Sequence, residues 1–204
     1  IHTKLHKIFS ITQEQLNQVQ VELSNIQKKF EEAIRKLEEK INVLEMKIPS
    51  SGGNDGPFTW KIGSFSELLR KAKSGEQTDL YSSPFYRYGY KFKLLISPNG
   101  QGDGKDTHLS IFIIIMKGEY DATLTWPFNK NVTFTLIDQQ EDANARENIA
   151  ECHNVDPSLK NFARPVEDEN TGRGYPTFAS QEKIQKRRYI VDDTIFIQVQ
   201  IASP

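Results

Sequence analysis

Residues 1–48 constrain this chain more than any other stretch. Apolar or near-apolar side chains fall at Ile1, Leu5, Ile8, Thr12, Leu16, Val19, Leu23, Ile26, Phe30, Ile34, Leu37, Ile41, Leu44 and Ile48. Their spacing averages about 3.6 residues, the repeat of an α-helix. Charged and amide residues such as Gln13-Glu14-Gln15 and Glu38-Glu39-Lys40 fill the remaining faces, and neither Pro nor Gly occurs before Pro49. The spacing predicts one helix roughly 70 Å long, at about 1.5 Å per residue. Such a rod cannot bury its own stripe, so it calls for other helices, first of all copies of itself. The late heptads, with Ile34, Ile41 and Ile48 at a and Leu37 and Leu44 at d, favour two strands. Earlier, Leu16 and Leu23 at a with Val19 and Ile26 at d favour three or four, and Phe30 at a stutter asks for a roomier core. Heptad chemistry leaves dimer and trimer both open.

The stretch 49–56, Pro-Ser-Ser-Gly-Gly-Asn-Asp-Gly, ends the helix and reads as a flexible linker. Residues 57–204 suffice for one globular domain of ordinary size. The net charge is −1, and the balance is near neutral on both sides of the linker, so a general nucleic-acid binder is not indicated. The single cysteine, Cys152, cannot form an internal disulfide, which favours a reducing compartment. No apolar run reaches the length of a membrane span. The chain starts with Ile and no signal peptide precedes the helix, so it reads as an excerpt of a longer protein.

Past the linker the hydrophobic period changes to two. Phe58–Ile62, Tyr90–Ser97, Val132–Leu136 and Ile195–Ile201 alternate apolar and polar residues, and Leu109 to Met116 is apolar on both faces, as in a central strand. Weaker strands are expected around Pro84–Tyr86, Ile149–His153 and Thr177–Ala179. Ser64 and Glu67 have capping-box spacing for a short helix from Phe65 to Lys73, closed by Gly75. About eight short strands separated by Gly, Pro and Asn predict an all-β antiparallel sandwich behind the helical stalk.

Enzymatic chemistry is not visible. His2, His6, His108 and His153 are dispersed; His2 and His6 share a helix face but lack a third metal ligand. Cys152 and His153 would point to opposite sides of a strand, which rules out a thiol–imidazole dyad, and Cys152 reads as a buried structural residue. Asn99–Asp106 has glycines and a lysine but precedes a strand, so it reads as a hairpin loop rather than a phosphate cradle. Lys186-Arg187-Arg188 reads as a solvated turn. Trp60 and Trp126 are expected in the sandwich as structural residues. No cofactor and no metal are expected.

A series of motifs carries a stronger signal. Trp60-Lys-Ile-Gly-Ser-Phe65, Ser83-Pro-Phe-Tyr86, Tyr88-Gly-Tyr-Lys91, Thr107-His-Leu-Ser110, Met116-Lys-Gly-Glu-Tyr-Asp121, Trp126-Pro-Phe128, Leu136-Ile-Asp-Gln139, Asn161-Phe-Ala-Arg-Pro165 and Asp192-Asp-Thr-Ile-Phe196 occur in that order. The series resembles the tumour necrosis factor receptor-associated factor (TRAF) family with its C-terminal MATH (TRAF-C) domain, across nearly all of residues 57–204. The resemblance implies an eight-stranded antiparallel sandwich, a parallel homotrimer, and a cytoplasmic adaptor recruited to membrane receptors. It favours three chains, with Leu16, Val19, Leu23, Ile26, Phe30, Ile34, Leu37, Ile41 and Leu44 as the trimer contacts. Complete members usually carry RING and zinc-finger modules upstream; this stretch has neither, so no ligase activity belongs to it.

Family heads bind a short extended peptide from a receptor tail or another adaptor along a sheet edge, and a trimer adds avidity. Carried over by position, the apolar part of that groove is Phe112 and Phe162, the edge glycine is Gly174, and Tyr175 stands beside it. The polar part departs from the family. Leu95 stands where many members have an arginine, Ser97 replaces an aromatic, Gln101 replaces an acid, and His153 replaces an aromatic. The family's serine run is Leu159-Lys160-Asn161 here, and in these departures the groove resembles that of the fourth mammalian paralogue. The resemblance therefore implies a weaker, more apolar site anchored by Phe112, Phe162 and Tyr175, with Lys160 meeting at most one acid. An extracellular stalked trimer would need disulfides or a glycan at Asn131, which Cys152 and the motif series disfavour. The remaining alternative is a trimeric scaffold for cytoskeletal partners or membrane lipid, a weak lipid contact falling near Lys186–Arg188, with peptide binding secondary.

Overall fold

The computed structural model describes the backbone of residues 2–47 and 56–202 and the side chains of residues 13–37 and 56–202. The linker expected at 49–56 lies, except for Gly56, outside the described residues, as do the side chains of His2, His6, Ile41 and Leu44. The chain divides into two compact units, Ile1–Gly53 and Asn54–Pro204.

The first unit holds one helix, α1 (His2–Lys47), without the interruption that a Pro or Gly would cause. Between Leu16 and Leu37 every stripe side chain is more than half exposed, Leu23 at 65% and Phe30 at 67% among them. A Glu32–Lys36 ion pair of 2.8 Å sits among the polar residues at helical i,i+4 spacing.

The second unit is the antiparallel sandwich the strand pattern predicts, with nine strands among the described residues. They are β1 (Phe58–Ile62), β2 (Leu80–Tyr81), β3 (Phe85–Arg87), β4 (Tyr90–Ser97), β5 (His108–Met116), β6 (Val132–Leu136), β7 (Ile149–His153), β8 (Arg173–Ser180) and β9 (Ile195–Ile201). One sheet runs β1-β9-β6-β7 and the other β2-β4-β5-β8, with β3 also on β4. β2 and β3 meet successive stretches of β4, Tyr81 opposite Leu95 and Phe85 opposite Phe92, so they form one bent edge strand in two pieces. Counted that way, the sandwich has its eight strand positions. The break falls at Ser82–Pro84, where Pro84 has no amide to donate. Ser82 bridges it: its amide donates to the Leu94 carbonyl (2.9 Å) and its hydroxyl accepts from the Leu94 amide (2.9 Å).

Alternation places Tyr90, Phe92, Leu94 and Ile96 of β4, Val132, Phe134 and Leu136 of β6, and Ile195, Ile197, Val199 and Ile201 of β9 in one shared core. Central β5 buries both faces, with Ile111, Ile113 and Ile115 inside and Ile114 covered on the outer side. Trp60 and Trp126 are half-buried against this core; the Trp126 ring meets Tyr90 edge-on at 5.1 Å and its Nε1 donates to the Asp121 carbonyl (2.9 Å). Asn99–Asp106 is the β4–β5 hairpin loop, closed by Asn99 donating to the Asp106 carboxylate (2.6 Å).

One local expectation fails and another holds only in part. The helix α2 (Phe65–Ser74) starts after Ser64, but Ser64 sits in the left-handed region (φ 53°) and its side chain caps nothing. Asp193, far along the chain, does so instead: its carbonyl accepts from the Phe65 amide (3.0 Å) and its carboxylate from the Ser66 amide (2.8 Å). Glu67 turns to Arg70 at 2.8 Å. The basic run is a turn solvated at Lys186 and Arg188, but Arg187 is drawn inward. Lys186 ends the helix α3 (Gln181–Lys186) paired with Glu182, Arg187 binds Asp138 (2.8 Å) and Glu147 (3.0 Å), and Arg188 lies 4.0 Å from Glu141. Each cation has an acid beside it, closely at Arg187 and loosely at the exposed Lys186 and Arg188.

Candidate functional site

β8 ends its sheet and β7 ends the other, and they approach each other at one side of the sandwich. Tyr175 on β8 joins them. Its hydroxyl donates to the Cys152 carbonyl on β7 (2.8 Å), and its ring meets those of His153 (5.8 Å) and Phe134 (6.1 Å) edge-on. Burial, followed by the charge of Glu151, pushes the Tyr175 phenol above its ordinary value, so it stays a donor.

On the outer face of the β2-β4-β5-β8 sheet, Tyr81, Leu95, Phe112 and Gly174 stand in register across four strands. Tyr81 is 50% exposed, and Leu95 and Phe112 are half-buried. Lys93 flanks the row, its ammonium 4.4 Å from the Tyr81 ring centroid and 2.7 Å from Glu169. The row stays open because β8 is bare where it crosses Phe112. A Cβ on Gly174 would come within 2.1 Å of the Ile111 carbonyl oxygen. One on Gly172 would come within 3.1 Å of Ile114 Cγ1 and 3.3 Å of Phe112 Cβ. Glycine at both positions lets β8 lie tight on β5 while leaving the Phe112 ring uncovered by its neighbour strand. Among the described residues nothing pairs with the other side of β8, so its backbone is a free edge.

The remaining expected groove residues separate into surface and scaffold. Lys160 is exposed, without an ion pair among the described residues. Leu159 is half-buried against the core and precedes the 3₁₀ turn Lys160–Phe162. Asn161 pins that turn to the start of the edge, donating to the Thr171 carbonyl (2.9 Å) and accepting at its own carbonyl from Asn170 (3.0 Å). Ser97 is buried and donates to Asp79 (2.6 Å), in a knot where Gln101 donates to both (2.8 Å each), so its hydroxyl is already engaged. Phe162 is 1% exposed, between the rings of Phe128 (6.3 Å) and His153 (5.9 Å), so in this structure it supports the edge from inside. His153 is half-buried, and its Nε2 is enclosed with no hydrogen-bond partner. Burial and then the charge of Arg173 hold its pKa below the ordinary value, which keeps the ring neutral.

Cys152 corrects another expectation. It is an exposed free thiol, because β7 is an edge strand whose outer side nothing covers; His153 does alternate to the opposite side. A shallow hollow of about 390 Å³ lies elsewhere, on the β1-β9-β6 face, lined by Thr59, Ile137, Gln139, Arg146, Phe196 and Gln198.

Three residues of the outer row and the β8 edge escape the sequence reading: Tyr81, Gly172 and Arg173. Tyr81 lies on a two-residue strand with no pattern to detect. Gly172-Arg173-Gly174-Tyr175 does alternate, but glycines supply no apolar signal, so the strand reads as starting at Thr177.

Comparison with known proteins agrees with this architecture. The family model described as TRAF/meprin, MATH domain matches residues 77–198. TNF receptor-associated factor 1 of Mus musculus is 43% identical over 148 residues, covering 71% of this chain and 35% of that protein. TNF receptor-associated factor 2 of Homo sapiens is 44% identical over 147 residues, covering 71% and 28%. The structure of Notothenia coriiceps TRAF5 superposes with a TM-score of 0.74 at 26% identity, covering 96% of this chain and 95% of that one. The chain thus spans about a third or less of the length of these curated relatives. Two facing antiparallel sheets behind an N-terminal helix, matched across most of the domain by this family model, establish that the chain belongs to the TRAF/meprin MATH-domain family.

Proposed function

We propose that this chain is a trimeric cytoplasmic signalling adaptor whose heads take short extended peptides from receptor tails or other adaptors. In this reading residues 1–48 trimerise, 49–56 link, and 57–204 bind the peptide. The observation that carries it is the unpaired edge of β8, backed by an uncovered Phe112, on a domain whose relatives are named for association with TNF receptors. An extended segment adds to such an edge through its backbone and reads out through side-chain pockets. Weak single sites become useful when three heads meet clustered tails. The chemistry assigned to the edge is recognition rather than catalysis.

The stripe on α1 supports the assembly half of the proposal, since exposed apolar rows of this length do not persist in water. Leu23→Asp with Ile26→Asp should yield monomers that keep folded heads, measured by light scattering and circular dichroism. A stable dimer from the unmutated chain would sink the trimer. On the head, Leu95→Arg places a cation on an outer row that offers none free, so affinity for acidic peptides should rise about three- to fivefold, as for an exposed ion pair. Calorimetry that finds Leu95→Arg and the parent equal would show that peptides do not cross Leu95.

A further inference from the structure

We propose that Arg173 reads an acidic side chain on the bound peptide, and that this acid stands directly beside the peptide's apolar anchor. The inference rests on the peptide-binding reading above and names its ligand class.

Register sets Gly174 opposite outward-facing Phe112, and Arg173 and Tyr175 opposite inward-facing Ile113 and Ile111, while Gly172, just before β8, lies beside Ile114 and Phe112 on the outer face. Tyr175 fixes the inward-facing side against β7. Arg173 is exposed and makes no hydrogen bond or ion pair among the described residues. Arg173 sits on the edge strand that Tyr175 holds against β7, and its charge reaches His153 at the end of β7 and the exposed carboxylate of Asp156 just beyond, with which it forms no ion pair. Exposed Lys160 adds a second cation near the same edge.

The outer row has the opposite character. Lys93 is held by Glu169 and lies over Tyr81, while Asp79 occupies the other flank in its knot with Ser97 and Gln101. An acid laid on Leu95 and Phe112 would find no free cation and two nearby carboxylates. An aliphatic or aromatic side chain would cover apolar surface at no such cost.

A peptide that extends the sheet at β8 sends successive side chains to opposite faces. The residue that folds over bare Gly174 onto Phe112 is therefore apolar, and its immediate neighbours face Arg173. The guanidinium fork can take a carboxylate there in bidentate fashion. The signature is an apolar residue and an acid in adjacent positions, not two apart.

The test is an array of capped peptides in a Ser/Thr background. Leu is fixed at the centre, Asp is placed one or two residues away on either side or omitted, and a parallel set carries Lys. The full chain is the probe, with Arg173→Ala, Arg173→Glu and Lys160→Ala beside it, each checked for an unchanged melt. Asp next to Leu should raise retention by about threefold per head, the scale of an exposed ion pair. Asp two away should not. Arg173→Ala should erase the preference, Arg173→Glu should transfer it to Lys, and Lys160→Ala should leave it in place. A preference that survives Arg173→Ala, or that is lost with Lys160→Ala alone, overturns the assignment to Arg173; equal retention with Asp two away overturns the adjacency. If no peptide is retained at all, the peptide-binding reading fails, and this inference with it.

Discussion

Phe162→Ala should lower the stability of the sandwich by about 3–5 kcal/mol, the usual cost of truncating a buried phenylalanine. For a head of about 150 residues this is a drop of roughly 10–15 °C in Tm. The ring is 1% exposed, packs between Phe128 and His153, and its carbonyl accepts from the Phe128 amide (2.8 Å). Its removal opens a cavity at the junction of the 3₁₀ turn with the core, where the backbone of residues 160–163 is already pinned by Asn161 and Asn170 and cannot collapse inward. Peptide binding should weaken only as far as the fold does. Phe112→Ala is the counterpart on the outer face. It should melt within about 1.5 kcal/mol of the parent, because the ring is only half-buried, and yet lose peptide binding in full. Thermal melts and calorimetry on the two variants separate support from contact. A Phe162→Ala protein that melts like the parent but no longer binds would return Phe162 to the surface of the groove.

That pair shows which parts of this molecule a sequence can disclose. Period-two alternation found β1, β4, β6 and β9 because every second residue of those strands meets the same core, and β5 because it is buried on both sides. Phe112 and Phe162 look alike in sequence: each is a phenylalanine at a position aligned with a family groove. Only three-dimensional packing tells them apart, one ring lying beyond a strand that glycine keeps bare and the other beneath a turn. The cap of α2 illustrates the same limit. Ser64 and Glu67 have the local spacing, but Asp193 arrives from more than a hundred residues away and takes the amides. Residue type alone makes Cys152 a buried residue, whereas its exposure on β7 depends on the strand's place at the rim of its sheet. Non-local partners decided each of these cases, and local pattern is silent about them.

The basic run follows the same logic and supports the second large effect. Arg187→Ala should destabilise the head by about 3 kcal/mol at neutral pH, the low end for breaking a buried ion pair, since Arg187 itself is 28% exposed. Asp138 is 0% exposed, and without the guanidinium it keeps the backbone amides of Glu147 (3.1 Å) and Gln140 against its charge. Arg187 also donates to the Ala145 carbonyl (2.6 Å), so it ties the 138–148 loop to the end of α3. In the parent, burial pushes the Asp138 carboxyl upward, but the Glu147 amide and Arg187 outweigh it and hold the group below its ordinary 3.8. A depressed carboxyl contributes stability that stands in full above that ordinary value and declines as pH falls through the folded-state titration. With Arg187 gone, burial is opposed only by the Glu147 and Gln140 amides, and the folded carboxyl should titrate higher than in the parent. The variant then regains stability relative to the parent as acid neutralises Asp138. The gap between the two melts should be widest near pH 7 and shrink toward pH 4. Adding Asp138→Asn to Arg187→Ala keeps an acceptor for the Glu147 amide without the charge, and should recover about half of the loss at neutral pH; the Ala145 and Glu147 contacts account for the rest. A gap that is constant from pH 7 to 4, together with a double variant no more stable than Arg187→Ala, would mean that Arg187 acts through its packing and its carbonyl contact and not through the charge of Asp138.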